Sequence, residues 1–398
     1  MIDPRSLLLA LFASALGVIV LTPIAMSLAR RFRLYDVPNG RKIHSVPVPL
    51  LGGLAVLVAT FTVLLAAGAF LGLPLDTPRL GFFAGAFVVF LLGLIDDRRG
   101  LPVFTKLVGQ FLAAALLVLS GNTDGLIGHT PFALALCMIW TVGMMNALNF
   151  LDGLDGLAAG TTLLAGLSFA VVGYLSGQPY SALVGASVAG AALGFLRWNW
   201  NPARIFLGDA GSLLLGYFLA ALGLLSTAGK PSFAHLLVPI IVLGVPIFDI
   251  TFVVAVRLRE GRPISQPGKD HTLHRIFGIL RSVPRAVLVF HGASLVLGAT
   301  AVALAIVAIP TIMVAGTALF ALAFVWLGAS LSKVPTESSA RSDRRAAAHA
   351  RPARVLPSGA KSAPASARSL RRGAASLAPE SEETPSDVLS LRQAGRAR

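Results

Sequence analysis

The chain has 398 residues, of which 55% are hydrophobic and only 13% are charged. A soluble domain carries roughly 25% charged residues, so this composition excludes an ordinary soluble protein. The net charge is +15, but 13 of the 33 Lys and Arg residues follow Leu331 and most of the others fall in alternate short loops. That distribution reflects membrane topology, and we expect no nucleic-acid partner. The single cysteine, Cys137, excludes an intrachain disulfide framework and a thiolate metal site.

Apolar runs of bilayer length recur along the chain and predict an all-α, polytopic membrane protein with about eleven transmembrane helices. The first run is too long for a signal-peptide core and has no small-residue cleavage site before Arg30, so we expect a retained helix. The predicted spans cover residues 6–29, 51–72, 80–95, 104–120, 131–149, 157–176, 181–197, 211–228, 234–256, 286–308 and 311–331.

Positive charge marks one set of loops as cytoplasmic. The opposite set contains only Arg79 and Lys230, whereas the basic set includes Arg41, Lys42 and the arginines of residues 257–285. The positive-inside rule therefore places the N-terminus outside and the C-terminus inside.

The composition changes at the end of the last span. Residues 334–398 are rich in Ala, Ser, Pro and Arg and almost free of aromatic residues, which predicts a disordered cytoplasmic tail. Its arginines could contact anionic membrane lipids, although a solvated tail is the simpler interpretation. We expect residues 1–333 to form the transmembrane domain and to carry any chemistry.

Two adjacent acids, Asp96 and Asp97, directly follow an apolar run. Neighbouring carboxylates repel each other and need a cation or basic side chains close by. Arg98, Arg99 and Lys106 could supply that charge. A simple helix cap with counter-charges is the alternative, but polar groups near hydrocarbon are costly and usually functional, which favours a catalytic role for Asp96, Asp97 and Lys106.

The segment at residues 146–156 joins the fifth and sixth spans and carries a dense polar motif. Asn146, Asn149 and Asp152 recur every three residues and so share a helix face. Asp152 and Asp155 are each followed by glycine, which allows backbone to approach a phosphate. Oxygen ligands of this kind suit a hard cation such as Mg²⁺ rather than zinc.

A third cytoplasmic cluster begins at Asn199 and ends in a Gly-Asp-Ala-Gly-Ser sequence before the next span. Asp209 could cap that helix, but we favour it as a metal ligand because helix N-termini and nearby oxygens bind phosphate and its cation. Phe206 could stack on a base, although an aromatic residue at a membrane interface is ordinarily an anchor.

The largest predicted cytoplasmic loop, residues 257–285, contains two histidines among basic residues. His271 and His274 beside Lys269 and Arg275 make a poor metal site but a suitable cradle for a phosphate or diphosphate. The isolated histidines of the chain are interpreted as structural.

These clusters, in this order, resemble those of the polyprenyl-phosphate N-acetylhexosamine-1-phosphate transferase family over roughly residues 1–331. The segment from Asp36 to His44, followed by Pro-Val-Pro-Leu-Leu-Gly-Gly, is similar to the GlcNAc branch rather than the muramoyl-pentapeptide branch. The resemblance implies catalytic roles for Asp96, Asp97, Lys106, Asp152 and Asp155, metal binding by Asn149 and Asp209, and substrate binding by Asn199, Phe206, His271, His274, Arg275 and His44. Leu273 stands where the family often has a histidine, and Leu50 where a basic residue is common.

The resemblance also implies partners and a reaction. The donor is a UDP-N-acetylhexosamine, most simply UDP-GlcNAc, the acceptor is undecaprenyl phosphate, and the cofactor is Mg²⁺, with Mn²⁺ as an alternative. Asp97 is expected nearest the acceptor phosphate, and single displacement is favoured over a covalent aspartyl intermediate. The enzyme is expected in a bacterial inner membrane with its site on the cytoplasmic face, and a homodimer is left open.

Three alternatives differ in donor or class. UDP-MurNAc-pentapeptide could replace UDP-GlcNAc in the same reaction. A CDP-alcohol phosphatidyltransferase would need an Asp-Gly-x-x-Ala-Arg signature, and no such arginine follows Asp152 or Asp155. A secondary transporter would place its ionisable residues near the bilayer midplane, whereas the acids here cluster toward one face.

Overall fold

The structure, a computed structural model, describes residues 2–38, 46–122, 130–227, 233–263, 268, 270–307 and 309–334, without the side chains of residues 233–235 and 310. All of these lie in one compact unit, Met1–Ala347. Except for Val334, the predicted tail lies outside the described residues and stays a prediction. His44 and Lys269 also lie outside them.

Helices make up nearly all the regular structure of the described residues. In chain order they are α1 (Pro4–Phe32), α2 (Gly52–Phe70), α3 (Thr77–Arg99), α4 (Val103–Leu117) with a short π-helical turn (Val118–Asn122), α5 (Pro131–Leu151), α6 (Leu157–Leu175), α7 (Pro179–Asn199), α8 (Gly208–Thr227), α9 (Phe233–Val242), α10 (Gly244–Arg259), α11 (Thr272–Leu280), α12 (Val283–Val307) and α13 (Pro310–Ser332). Ten segments are long and apolar enough to cross a bilayer, and α9 with α10 forms an eleventh, bent candidate. The predicted all-α polytopic fold is confirmed, whereas its orientation stays a prediction.

The ninth predicted span differs from expectation because it is broken. Instead of one helix over residues 234–256, α9 and α10 meet at an angle of 78° around Leu243. Pro246 explains the position of the break, since a proline ring clashes with the carbonyl four residues earlier, here that of Val242. The break turns α10, and the buried Asp249 within it, away from the line of α9.

Helix α8 is the centre of the bundle and is buried along nearly its whole length against α2, α3 and α5. Its first turn is approached closely by two glycines. A Cβ on Gly53 would lie 2.5 Å from the Cα of Gly211, and one on Gly93 would lie 2.4 Å from the Cα of Ala210. Small residues let helix backbones pack at such short range. The N-terminus of α8 is therefore fixed against the ends of α2 and α3.

A small antiparallel ribbon, β1 (Tyr35–Asp36) and β2 (Val48–Pro49), lies next to this point. The chain after β2 pairs with the segment that leads into α8, because Phe206 N donates to Pro49 O at 2.9 Å and Gly52 N donates to Phe206 O at 3.0 Å. This pairing holds the residues before α8 in an extended conformation and sets the position of Asp209.

Candidate active site

Asp97, at the end of α3, holds the beginning of α8. Its Oδ1 accepts a hydrogen bond from Asp209 N at 2.8 Å, and its Oδ2 accepts one from Ala210 N at 3.1 Å. These are two of the amide groups that have no partner within a helix at its N-terminus. Gly208 makes the approach possible, since it has a φ of +69° and a Cβ there would lie 2.5 Å from Asp97 Oδ2. The helix cap that the sequence allowed at this point is therefore provided by Asp97 from another helix.

Lys106, near the start of α4, joins two carboxylates. Its Nζ lies 2.6 Å from Asp96 Oδ2 and 2.6 Å from Asp209 Oδ2. Asp96 also accepts a hydrogen bond from Leu101 N at 2.7 Å, which fixes the turn between α3 and α4. The predicted neutralisation of the acidic pair by Lys106 is thus seen for Asp96 and Asp209, whereas Asp97 is bound by backbone amides.

The polar face of α5 points at the same cluster. Asn149 Nδ2 donates to Asp209 Oδ1 at 2.7 Å and to Ser212 Oγ at 2.9 Å. One turn earlier, Asn146 pairs with the buried Gln110 of α4, with Nδ2 to Oε1 at 2.8 Å. The three-residue spacing read from the sequence therefore aligns Asn149 with Asp209 and leaves the carbonyl oxygen of Asn149 for another ligand.

Asp155 and Asn199 connect the loop after α5 to the segment before α8. Asp155 Oδ2 accepts hydrogen bonds from Asn201 Nδ2 at 2.8 Å and from Ala203 N at 3.0 Å. The buried amide of Asn199 accepts from Gly156 N at 2.9 Å and donates to Ile205 O at 3.0 Å. Both side chains thus hold loops together, in addition to any contact they make with a ligand.

Asp152 begins the loop between α5 and α6, and no Lys or Arg among the described residues pairs with it. The residue keeps some accessible surface, yet its carboxyl group is enclosed by protein. Burial first, and then the negative charges of Asp209, Asp97 and Asp155, raise the pKa of Asp152 well above its ordinary value. The crowding of acids therefore exceeds what Lys106 alone can balance, and Asp152 holds its proton to a higher pH than an ordinary aspartate does.

The histidine segment packs against the same loop. His271 caps α11, and its ring centroid lies 5.3 Å from that of Phe150, the neighbour of Asn149. Asp249, with no exposed surface, lies 2.9 Å from His271 Nδ1 and accepts a hydrogen bond from Thr272 N at 2.9 Å. The His271 and His274 rings are 6.2 Å apart. Leu273, which replaces a histidine of the resembled family, is buried beside Gly153, so it packs in the core.

The side chain of Arg275 binds backbone carbonyls at the end of α13. It is 3% exposed, and its guanidinium donates to the carbonyls of Leu331 and Val334 at the end of α13 and lies 5.2 Å from the centroid of the Phe252 ring. The preceding Asp270 is bound by Arg257 and Arg262. The structure thus gives Arg275 a helix-capping role, and the phosphate contact expected of it stays an untested prediction.

The structure brings together Asp96, Asp97, Lys106, Asn149 and Asp209 by direct contacts, with Asp152 close enough to affect them electrostatically. Phe206 is partly buried and its backbone pairs with the ribbon segment, so the base stacking expected of its ring is not tested. Sequence reasoning gave no site role to Asn201, Ser212 or Asp249. The signal that could have found Asp249 was its position as a lone carboxylate inside an apolar run.

The donor set fits a hard cation. In the described part of the chain, no three His, Cys, Asp or Glu side chains already converge as metal ligands. The Lys106 ammonium, however, lies between two carboxylate oxygens of the kind that bind Mg²⁺, and Asp209 remains 33% exposed at its side chain. The acids crowded around Asp152 would also favour a cation, whose binding would displace the proton that Asp152 retains. Carboxylate oxygens and an amide carbonyl would favour Mg²⁺ or Mn²⁺ over a soft metal.

The chain was compared with known proteins. Residues 79–227, from α3 to the end of α8, match the model of glycosyl transferase family 4. The chain is 35% identical over 303 residues to the probable undecaprenyl-phosphate N-acetylglucosaminyl 1-phosphate transferase of Bacillus subtilis, covering 73% of this chain and 83% of the relative. It is 34% identical over 326 residues to the decaprenyl-phosphate N-acetylglucosaminephosphotransferase of Mycobacterium tuberculosis, covering 71% and 78%.

A relative with a different named donor also matches. The phospho-N-acetylmuramoyl-pentapeptide-transferase of Halalkalibacterium halodurans is 33% identical over 249 residues, covering 56% of this chain and 75% of the relative. The family model spans the helices that carry Asp97, Lys106, Asn149 and Asp209. The resemblance read from the motifs is thus confirmed, and the chain belongs to glycosyl transferase family 4, as a multi-pass membrane enzyme.

Proposed function

We propose that this enzyme transfers GlcNAc-1-phosphate from UDP-GlcNAc to undecaprenyl phosphate on the cytoplasmic face of a bacterial inner membrane. The observation that carries the proposal is the acidic cluster at the N-terminus of α8, where Lys106, Asn149 and Asp97 all bind the first turn or Asp209. The names of the Bacillus subtilis and mycobacterial relatives support GlcNAc-1-phosphate as the transferred group.

In the proposed reaction, an oxygen of the acceptor phosphate attacks the β-phosphorus of the nucleotide-sugar. The bond between that phosphorus and the bridging oxygen breaks, and UMP leaves with the bridging oxygen. The acceptor phosphate is largely dianionic at neutral pH, because the second pKa of a phosphate monoester is about 6. The site therefore has little need of a general base, and its main task is to position two anions and neutralise their charge.

Mg²⁺ bound by Asp209, with Asn149 or Asp155 assisting, would neutralise the diphosphate and polarise the bond that breaks. The residues around Asp209 act by holding its side chain and backbone in place. Asp97 fixes the backbone that carries Asp209, and Lys106 keeps Asp96 and Asp209 from repelling each other. His271 and His274, which lie beside the Asp152 loop, are the proposed contacts for phosphate oxygens. Asn199 and Phe206 are proposed to contact the uridine.

The capping contacts of Asp97 bear on its proposed role. Both of its oxygens already accept backbone hydrogen bonds, which withdraw electron density from the carboxylate and restrict its movement, so it is a weaker nucleophile than a free aspartate. This geometry favours direct displacement over a covalent aspartyl intermediate. Asp97 then acts as an anchor of the site, close to the acceptor phosphate without reacting with it.

The second candidate is the same reaction with UDP-MurNAc-pentapeptide as the donor. The similarity to the Halalkalibacterium halodurans enzyme favours it. Both donors share the UDP and the N-acetylhexosamine 1-phosphate, so the cluster around Asp209 serves either one. The discrimination must come from groups that contact the sugar substituents.

The test is UMP release by the purified full-length protein in detergent, with undecaprenyl phosphate and each UDP-sugar in turn, with and without Mg²⁺. The proposal expects UMP and a lipid product with the mass of undecaprenyl diphosphate GlcNAc, only when Mg²⁺ and the acceptor are both present. A product only from UDP-MurNAc-pentapeptide would establish the second candidate. No UMP from any UDP-sugar, under conditions where the Bacillus subtilis relative is active, would refute both.

A further inference from the structure

Asp249 is a fully buried carboxylate in the interior of α10. Burial of an ionised carboxylate is costly unless its oxygens are hydrogen-bonded. Here the two oxygens have separate partners. Oδ2 lies 2.9 Å from Nδ1 of His271, whereas Oδ1 accepts hydrogen bonds from N of Thr272 at 2.9 Å and from its Oγ1 at 2.5 Å. A single carboxylate thus holds the histidine segment and the start of α11.

These contacts determine which nitrogen of His271 carries hydrogen. The oxygens of an ionised carboxylate only accept hydrogen bonds, so Nδ1 must be the donor. The other nitrogen, Nε2, is then available to a ligand. When the ring is protonated, Nε2–H can donate to a phosphate oxygen while the negative charge of Asp249 balances the ring.

The ring is also fixed in place beside the acidic cluster. His271 packs edge-on against Phe150, and Leu273 fills the space beside Gly153. Phe150 and Gly153 flank the Asp152 segment on both sides. Orientation by Asp249 and packing against this loop therefore act on the same side chain.

We propose that Asp249 is a positioning residue of the transferase: it holds His271 in the Nδ1–H form and in the orientation that contacts a phosphate of the donor or acceptor. This inference rests on the proposed function, which assigns the phosphate contact to His271. Asp249 itself does not touch the substrate. Loss of the orienting partner of a metal-bound histidine lowers affinity or activity by about 10- to 100-fold, and we expect a loss of the same order here.

Asp249→Asn is the informative variant because it keeps the volume and changes one hydrogen-bond role. Thr272 N can only donate, so the amide oxygen of Asn must stay on Thr272 and its NH₂ group must face His271. Nδ1 of His271 then has to accept, and the hydrogen moves to Nε2. We expect about 10- to 100-fold lower kcat/KM for UMP release. We also expect the ¹⁵N NMR signal of a protonated Nδ1 in His271 to be lost.

Two further variants separate positioning from folding. Thr272→Val removes one donor to Asp249 but leaves the contact with His271, so we expect lower thermal stability with a nearly unchanged kcat/KM and an unchanged histidine signal. His271→Gln identifies that signal by its disappearance, and the double variant with Asp249→Asn should be no less active than His271→Gln alone.

The outcomes are distinct from those of the proposed function. If wild-type protein turns over UDP-sugar but its His271 is protonated at Nε2 only, the positioning proposal is wrong. This measurement needs only wild-type protein, so it holds even where Asp249→Asn does not fold. Additive losses in the double variant would likewise overturn it. If wild-type protein turns over no UDP-sugar, the proposed function fails, whatever the tautomer of His271.

Discussion

Lys106→Met tests whether the ammonium group occupies part of a cation site. Lys106 Nζ lies 2.6 Å from one oxygen of each of Asp96 and Asp209, and its side chain is 18% exposed. Removing one partner from a fully buried ion pair costs about 3–5 kcal/mol. The Asp209 side chain is 33% exposed, so water screens that contact and we expect a loss of about 2–3 kcal/mol in the free energy of unfolding without Mg²⁺.

The same change should strengthen the binding of a divalent cation. Without the ammonium, Asp96 and Asp209 each have a free oxygen, and no positive charge opposes the incoming ion. A ligand at about 100 times its Kd stabilises the folded state by about 2.7 kcal/mol, so a tighter Kd gives a larger stabilisation at the same concentration. We therefore expect Mg²⁺ to recover most of the stability lost in Lys106→Met, while transferase activity stays low.

The assay is denaturant titration in detergent micelles, with and without Mg²⁺, for wild type, Lys106→Met and Arg99→Met. Arg99 is exposed at the end of α3 and provides a matched loss of one positive charge nearby. If Lys106→Met and Arg99→Met respond equally to Mg²⁺, the effect is one of general charge, and the idea that Lys106 holds the place of a cation is refuted.

Three other predictions follow from the contacts at α8 and α5. Asp97→Asn leaves one oxygen to accept from two amides of α8, so we expect a loss of about 1–2 kcal/mol in the free energy of unfolding together with loss of UMP release; unchanged stability would contradict the capping role. Gly208→Ala should lower the free energy of unfolding by about 2–3 kcal/mol and reduce activity, since it adds a Cβ at a φ of +69° and 2.5 Å from Asp97 Oδ2. Gly143→Ala is the control: its added Cβ would meet no neighbouring atom within 4 Å, so the change should be neutral or stabilising. The raised pKa of Asp152 means that the folded protein keeps a proton that the unfolded chain loses near pH 4. Without a cation, the free energy of unfolding should therefore fall as the pH rises from about 4 to the raised pKa. The affinity for Mg²⁺ should rise over the same interval. Thermal melts against pH, with and without Mg²⁺, should show both trends in wild type and weaker ones in Asp152→Asn.

Residues 146–156 show how much the sequence could predict. The three-residue spacing of Asn146, Asn149 and Asp152 predicted one helix face. The structure confirms that face for Asn146 and Asn149, which point toward α4 and α8, whereas Asp152 follows the last helical residue. The spans were predictable for a similar reason, because hydrocarbon thickness sets a minimum apolar length that is visible in the chain. Local rules were sufficient where the constraint was local.

The partners of the charged residues were not predictable in the same way. Lys106 was expected to help neutralise the Asp96–Asp97 pair. It contacts Asp96, but it also pairs with Asp209, which is 103 residues away, whereas Asp97 binds the backbone there. Arg275, predicted to contact a phosphate, also donates to the end of α13, 56 residues further along, and no local pattern indicated that partner. The pairing partner of each charged side chain depends on which helix ends meet. The meeting of helix ends depends in turn on close packing at residues such as Gly53 and Gly93.

The acids of this site therefore have two kinds of task, and loss of activity alone cannot separate them. Asp97 and Asp155 use their oxygens on backbone amides of α8 and of the segment before it, so replacing either one should move the loops as well as remove a charge. Asp152 has no such amide partner among the described residues, and its pKa is raised first by burial and then by the other carboxylates. An inactive Asp152→Asn with full stability and weakened Mg²⁺ binding would report on ligand chemistry directly. An inactive Asp97→Asn with reduced stability would report first on the architecture that holds Asp209 in place.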